Sequence, residues 1–232
     1  MMFTFIVLLS ILCTVSSASS PQYEERLIEL LFDPSGRGWK IRNFAPSGSI
    51  NVTFSWSAIH LDQLDIENNG MVMIGWLTLG WHDNRLLWNP ANYGGVESLN
   101  IPKDYVWKPD IEPFNLRDRT SYNLNSEHRN VILSHTGSIT DVAALRISSI
   151  CNMDRANPDQ QQCNIKFGSW TYGGDKINIL PPDVDVSTYA ENTCWKLKNL
   201  TCNRHEMKYD CCPGSIVHIE CPHEFEKNPE CQ

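Results

Sequence analysis

An alternation of apolar and polar residues between positions 50 and 56 restricts the fold more than any other feature. Ile50, Val52, Phe54 and Trp56 alternate with polar residues. Because successive side chains of a β-strand point to opposite faces, this period predicts a strand with one buried face. Further short strand candidates occupy 71–78, 130–134, 138–150, 164–172 and 206–211. Many short strands separated by turn residues are typical of a β-sandwich or barrel, so we expect one all-β domain.

A short amphipathic helix is predicted before the first strand. Ser20 and Pro21 form a helix start, and Leu27, Ile28 and Leu31 recur at helical spacing. The turn-rich stretch 33–38 is expected to end this helix, and no second helical period is evident.

The N-terminus predicts export. Apolar residues dominate 3–15 and small residues follow, which is typical of a signal peptide spanning 1–18 and cleaved near Ala18. No later segment approaches the ~20 apolar residues of a membrane-spanning helix, so we expect a secreted, extracellular and soluble product without membrane insertion. The expected organisation is a domain over 19–220 and a cysteine-bearing tail over 221–232.

The cysteines fit an oxidising compartment. Of the nine cysteines, Cys13 would leave with the signal peptide, and an even number would remain for disulfides. Asn51 and Asn199 each begin a glycosylation sequon. The pairing of four of the remaining cysteines is left open by the sequence: Cys194, Cys202, Cys221 and Cys231. An intersubunit bridge through Cys231 is one alternative.

The composition and motifs disfavour several functions. The net charge of the chain is −8, whereas a nucleic-acid-binding protein usually carries a basic surface. We find no Gly-x-Ser-x-Gly elbow and no Cys-x-x-Cys pair, so an enzyme is not expected. His205, His218 and His223 lie among cysteines, but their spacing does not match a zinc site, which is a minor alternative. No cofactor and no metal are expected.

Cys211 and Cys212 are adjacent in the sequence. Neighbouring Cα atoms lie ~3.8 Å apart, below the usual ~4.4–6.8 Å of a disulfide, so a bridge between them would be strained. Separate pairing of the two cysteines is the alternative, and the local sequence does not decide between them.

A series of motifs is distributed along most of the chain. They are Trp81-x-Asp83-x-x-Leu86-x-Trp88-Asn89-Pro90, Tyr93-Gly94-Gly95, Ile101-Pro102, Trp107-x-Pro109-Asp110, Gly137-Ser138, Cys151 with Cys163, Lys166-Phe167-Gly168-Ser169-Trp170-Thr171-Tyr172, and Tyr209-x-Cys211-Cys212-Pro213. Together they resemble the extracellular ligand-binding domain of nicotinic acetylcholine receptors, and more specifically the soluble acetylcholine-binding proteins.

The resemblance implies a sandwich of about ten strands with a short N-terminal helix, assembled as a ring of five identical chains. It implies a pocket at each subunit interface, where aromatic rings hold acetylcholine, nicotine or a related cationic amine, and where peptide neurotoxins also bind. Attraction between a cation and a ring contributes ~0.5–2 kcal/mol per ring.

The implied site residues fall into groups. The principal face would comprise Phe114, Trp170, Tyr209, Cys211 and Cys212, with the last two forming the vicinal disulfide of a capping loop. The complementary face would comprise Trp76, Ile132, Thr140 and Val142, the last three being equally typical of ordinary sheet residues. Asp110 would steady the Trp170 segment, Lys166 would contact the capping-loop tyrosine, and Cys151 would pair with Cys163.

The chain departs from the resemblance in the aromatic set. Phe114 stands where a tyrosine is usual, and the second capping-loop tyrosine falls on Ile216 or Val217. The acid expected next is absent, and Glu220, one position later, should face the other side of its strand. Four rings remain, Trp76, Phe114, Trp170 and Tyr209. Losing one ring and one hydroxyl predicts an affinity weaker by ~1–3 kcal/mol, or altered specificity.

The loop between Cys151 and Cys163 is polar and lacks an apolar tip. A receptor uses such a tip to pack against its membrane domain, so a polar loop favours a soluble binding protein over a truncated receptor subunit. A pentameric scaffold or structural assembly protein without amine binding is the alternative function.

Overall fold

The computed structural model describes residues 21–34, 36–118, 129–208, 210 and 214–231. Helices α1 and α2 cover Pro21–Phe32 and Arg37–Asn43. Within the described ranges the strands, β1 to β13 in chain order, are Ile50–Asp65, Gly70–Leu87, Ser98–Pro102, Ile111–Pro113, Leu116–Asp118, Asn130–Ser134, Thr136–Ile150, Gln160–Ser169, Ile177–Ile179, Asp183–Asp185, Trp195–Leu200, Asn203–Lys208 and Ser215–Lys227. Single 3-10 turns lie at Pro90–Asn92 and Lys103–Tyr105.

The described strands form two sheets. One has the order β10-β1-β2-β7-β6-β3, with β5 joined to β7 and β9 to β1. The other has the order β11-β13-β8-β4, with β12 joined to β13. The fold is therefore the predicted all-β sandwich with an N-terminal helix.

Large side chains from the facing sheets fill the core. Phe54 and Trp56 of β1 contact Phe167 of β8, with ring centroids 5.2 and 5.5 Å apart. Alternate residues of β1 are buried, because only one face of that strand points into the core. The two sheets are thus held at a fixed separation by aromatic packing.

Most predicted strands are present with different ends. The strand predicted over 130–134 has the same limits as β6, whereas the strand predicted over 164–172 ends at Ser169, before Trp170. Strands β1 and β2 extend well beyond the predicted segments, because neighbouring strands satisfy their backbone groups past the alternating stretch.

The expectation that no second helix follows the turn at 33–38 was wrong. Helix α2 has seven residues, which is too short to display a helical period. It is fixed by packing: Gly38 lies so close to helix α1 that a Cβ there would be 2.5 Å from the carbonyl carbon of Phe32. Ile41 provides the buried side chain of α2.

Three disulfides lie in the described part of the chain. Cys151 pairs with Cys163 as the resemblance implied. Cys194 pairs with Cys231, and Cys202 pairs with Cys221. In this structure Cys231 is bonded within its own chain, so the intersubunit alternative is not adopted.

Strand β13 runs past residue 220, where the sequence predicted the start of a separate tail. Cys221, His223 and Phe225 continue the inward alternation of this strand and are all buried. The predicted boundary therefore falls inside a strand that belongs to the sandwich.

Candidate ligand-binding site

Two aromatic rings lie next to each other beside the antiparallel strands β4 and β8. Phe114 follows β4 directly, and Trp170 follows β8. Their ring centroids are 5.2 Å apart in an edge-to-face arrangement at 70°. Trp170 is 51% exposed, whereas Trp81, Trp88, Trp107 and Trp195 are buried core residues. An exposed indole beside a second ring offers a π-face to a cation.

Gly168 makes the position of the Phe114 ring possible. A Cβ at Gly168 would lie 2.5 Å from Cζ of Phe114 and 3.3 Å from Cβ of His218. The first distance is far below van der Waals contact. The phenyl ring therefore occupies the space that any other residue at this position would fill.

Asp110 ties together the segment around Trp170. Its carboxylate accepts hydrogen bonds from the hydroxyl of Ser169, from the backbone N–H of Thr171 at 2.8 Å and from the Thr171 hydroxyl at 2.6 Å. The backbone N–H of Trp170 donates to the carbonyl of Asp110 at 3.4 Å. These bonds restrict the turn on which Trp170 lies.

Lys166 forms an ion pair with Glu220. The two residues lie opposite one another in the β8–β13 register, and Lys166 Nζ is 2.7 Å from Glu220 Oε1. The Lys166 hydrogen bond lowers the pKa of the Glu220 carboxyl below its ordinary value. The expectation that alternation turns Glu220 away from the site face was wrong, because the register places Glu220 directly opposite Lys166 on that face.

Two histidines continue this group toward β12. His218 Nε2 lies 3.4 Å from Glu220 Oε1, and the His205 and His218 rings stack with centroids 5.3 Å apart. Burial lowers the pKa of His218, and the Glu220 carboxylate opposes this shift. His205 and His218 could not be assigned to the site from the sequence, because only the strand register shows that they share a face with Lys166.

The complementary set lies on the outer face of the other sheet. Ile132 is opposite Thr140 in the β6–β7 pair, and Val142 is opposite Thr78 in the β7–β2 pair. Trp76 is two residues from Thr78 on the same face and is 46% exposed. Ile132 and Val142 are also exposed, and Thr140 is half-buried. The sheet thus collects all four predicted residues into one exposed patch.

The two sets do not face each other within a chain. Phe114, Lys166 and Trp170 belong to strands β4 and β8 or follow them directly, whereas the Trp76 patch covers strands β2, β7 and β6 of the opposite sheet. The outer faces of a sandwich point away from one another. A pocket built from both sets requires two copies of the chain.

The capping-loop residues Tyr209, Cys211 and Cys212 lie outside the described residues. Their roles and the vicinal disulfide therefore remain predictions. The strands leading to and from this loop are described, and they pair from Asn203 with Glu220 to Lys208 with Ser215.

The loop between Cys151 and Cys163 is organised by its own polar groups. The amide of Gln161 accepts from the N–H of Asp154 at 2.9 Å and donates to the carbonyls of Asp154 and Asn157 at 2.8 and 2.9 Å. Gln161 is buried, so these bonds hold the loop compactly against the end of β8.

Three of the described residues that could have bound zinc, Cys202, Cys221 and His223, have other partners. Cys202 and Cys221 are bonded to each other, and His223 is enclosed in the core, where it accepts from Trp56. Within the described residues, no cluster of His, Cys, Asp or Glu has the arrangement of a metal site.

The fold defines the class of this protein: an all-β sandwich with an N-terminal helix and a disulfide-closed loop between β7 and β8. The family model described as the neurotransmitter-gated ion-channel ligand binding domain matches residues 24–226. The chain belongs to this family, and the resemblance of the sequence motifs to the receptor ligand-binding domain is confirmed.

Related proteins include neuronal acetylcholine receptor subunits. The chain is 34% identical over 200 residues to subunit alpha-2 of Pan troglodytes, covering 84% of this chain and 37% of the relative. It is 33% identical over 194 residues to subunit alpha-6 of Rattus norvegicus, covering 82% of this chain and 38% of the relative. It is 32% identical over 168 residues to subunit alpha-10 of Homo sapiens, covering 71% of this chain and 37% of the relative. The chain thus spans little more than a third of the length of these relatives. In the described ranges, no helix has the length and apolar character needed to span a membrane.

Proposed function

We propose that this protein binds acetylcholine or a related cationic amine between neighbouring copies of itself, in the manner of a soluble acetylcholine-binding protein. The observation that carries this proposal is the exposed Trp170 ring, packed edge-to-face on Phe114 and held by Asp110. Trp76 on the opposite sheet supplies the ring of the second copy. The proposed role is binding and not catalysis, because the hydroxyl groups of Ser169 and Thr171 donate to Asp110 and thereby position the segment around Trp170.

The assembly proposed is a ring of identical chains, with five as the expected number. Each subunit then contributes the Trp170 face to one interface and the Trp76 face to the other. A head-to-tail contact of this kind closes into a ring when its rotation permits. Peptide neurotoxins that compete with acetylcholine are expected to bind at the same interface.

Secretion and glycosylation belong to the same proposal. Three disulfides among the described residues fit an oxidising compartment, and the exposed Asn51 and Asn199 are accessible to the glycosylation machinery. We assign residues 1–18 to a signal peptide. The compact polar loop closed by Cys151 and Cys163 favours a protein that acts as a binder rather than as a channel subunit.

Calorimetric titration with acetylcholine tests the proposal, together with the mass of the native assembly. Trp170→Ala and Trp76→Ala should each reduce affinity by at least tenfold, although the two residues lie on different sheets. Trp39→Ala is the matched control, because Trp39 is 48% exposed on helix α2 and belongs to neither set. Absence of heat at millimolar acetylcholine in a correctly assembled ring would overturn amine binding and favour the scaffold alternative.

A mixing experiment tests the division of the site between chains. Rings refolded from equal amounts of Trp170→Ala and Trp76→Ala chains should regain some sites, because an intact Trp170 face then meets an intact Trp76 face. Rings of either variant alone should regain none. If the mixed rings regain no acetylcholine-binding sites, the site does not lie between two chains.

A further inference from the structure

A row of polar and ionisable side chains lies on the outer face of the second sheet. Lys166 pairs with Glu220, Glu220 contacts His218, and His218 stacks on His205. Strands β8, β13 and β12 contribute these residues in spatial order. The row therefore connects the sheet below Trp170 to the strands that lead into the capping loop.

This row meets the aromatic rings at Gly168. His218 and Gly168 are directly opposite in the β8–β13 register. A Cβ on Gly168 would touch both the phenyl ring of Phe114 and Cβ of His218, so these two side chains flank the same glycine. Phe114 in turn packs on Trp170. The imidazole thus lies one side chain away from the exposed indole.

The register also shows which side chains of β13 lie on the site face. Counting along the sequence places the missing second tyrosine at Ile216 or Val217; Val217 is buried on the inward face of β13, and the half-buried Ile216 lies two residues before His218 on the same face. His218 is on the site face, two residues before the carboxylate that pairs with Lys166. Between Ile216 and Glu220 the ring on the site face is therefore the imidazole of His218.

We propose that His218 is the specificity-determining residue that makes cation binding at this site depend on its protonation. The inference rests on the proposed function. Because His218 is only 7% exposed, it acts on a ligand at Trp170 through its charge and not by direct contact. A neutral imidazole leaves the aromatic site attractive to an ammonium group, and an imidazolium repels it.

The groups around His218 determine when it is charged. Glu220 on its own strand favours the imidazolium, while Lys166 on β8 and His205 on β12 oppose it. On β4, Glu112 lies opposite Gly168. Burial has the largest effect and lowers the pKa of His218, so the imidazole gains its proton at a lower pH than a free imidazole does.

Acetylcholine is a suitable probe because its quaternary ammonium keeps the same charge at every pH. Calorimetric titrations at about pH 7.5 and about pH 5 should show wild-type affinity falling about threefold at the lower pH. His218→Phe keeps a ring but cannot be protonated, so its affinity should change less than twofold. The control His205→Phe should retain the pH dependence. Circular dichroism at both pH values establishes that each protein is folded.

A second measurement does not depend on a variant. Since linkage is reciprocal, a threefold pH effect on binding requires saturating acetylcholine to lower the pKa of His218 by at least about half a unit. Nuclear magnetic resonance of labelled histidines in the wild-type assembly measures this shift. Any one of three results would overturn this inference while leaving the proposed function intact. They are equal wild-type affinity at both pH values, a pKa of His218 that does not change on saturation, and a pH dependence that His218→Phe retains. A wild-type ring that binds no acetylcholine at either pH would overturn the proposed function as well.

Discussion

Trp56 donates its indole N–H to Nε2 of His223 at 3.2 Å, inside the core between the two sheets. Because an indole nitrogen only donates, Nε2 of His223 must accept, and its Nδ1–H donates to the carbonyl of Cys221 at 2.8 Å. The buried imidazole is therefore neutral. Burial lowers the pKa of His223 from 6.5 to about 4.

Because the pKa of buried His223 is lowered, we expect the protein to lose stability in mild acid. The unfolded chain takes up a proton at His223 near pH 6.5 and the folded chain only near pH 4, so the stabilisation is complete above pH 6.5 and is lost as the pH falls toward about 4. The expected contribution is about 3 kcal/mol. Urea unfolding at several pH values measures it, with His223→Gln losing this part of the pH dependence and the exposed His82→Gln retaining it. Equal pH profiles for wild type and His223→Gln would contradict the prediction.

Gly168→Ala should weaken acetylcholine binding by at least tenfold, because the added methyl displaces the Phe114 ring from its contact with Trp170. Calorimetric titration measures the affinity, and urea unfolding measures the accompanying strain. Gly36→Ala is the control, since a Cβ there would meet only a carboxylate oxygen of Asp33 at 4.0 Å. Normal affinity in folded Gly168→Ala would show that the position of Phe114 is unimportant for binding.

Removing the Cys202–Cys221 disulfide should destabilise the sandwich. The double substitution Cys202→Ala and Cys221→Ala frees a loop with a sequence separation of 19, for which the expected loss is about 3 kcal/mol in the free energy of unfolding. Denaturant unfolding under non-reducing conditions measures the loss. Peptide mapping without reduction checks the pairing itself, and a Cys202 fragment linked to Cys194 would contradict the connectivity.

Gln161→Ala should loosen the loop closed by Cys151 and Cys163. The substitution leaves two backbone carbonyls and one N–H without their Gln161 partner, at an expected cost of about 1–3 kcal/mol. Hydrogen exchange should accelerate at residues 154–157 while the β1–β2 core is unchanged. The exposed Gln160→Ala should have little effect, and equal exchange in the two variants would argue against this organisation of the loop.

The sequence predicted the parts of the fold that local patterns determine. The alternation from Ile50 to Trp56 and the periodicity of Leu27 and Leu31 each reflect one buried face, and such a face is visible in the order of residues. Helix α2 was missed because seven residues show no period, and its formation depends on contact with helix α1.

The candidate site was predictable only in part. Motif order selected Trp170, Phe114 and Asp110, but counting residues failed at Glu220, because a carboxylate is matched to a lysine by strand register and not by distance in the sequence. The same register brings His218 to the site face. The residues of the capping loop, Tyr209, Cys211 and Cys212, remain known from the sequence motif alone.

The sequence by itself determined the family, the all-β class and the aromatic residue types that a cation-binding site needs. The tertiary structure decided which side chains share a face: it placed Trp76 and Trp170 on opposite sheets, joined Lys166 to Glu220 and fixed the pairing of Cys202 with Cys221. The physical reason is that strand pairing brings together residues far apart in the chain, and the register of that pairing depends on the whole core rather than on any local stretch.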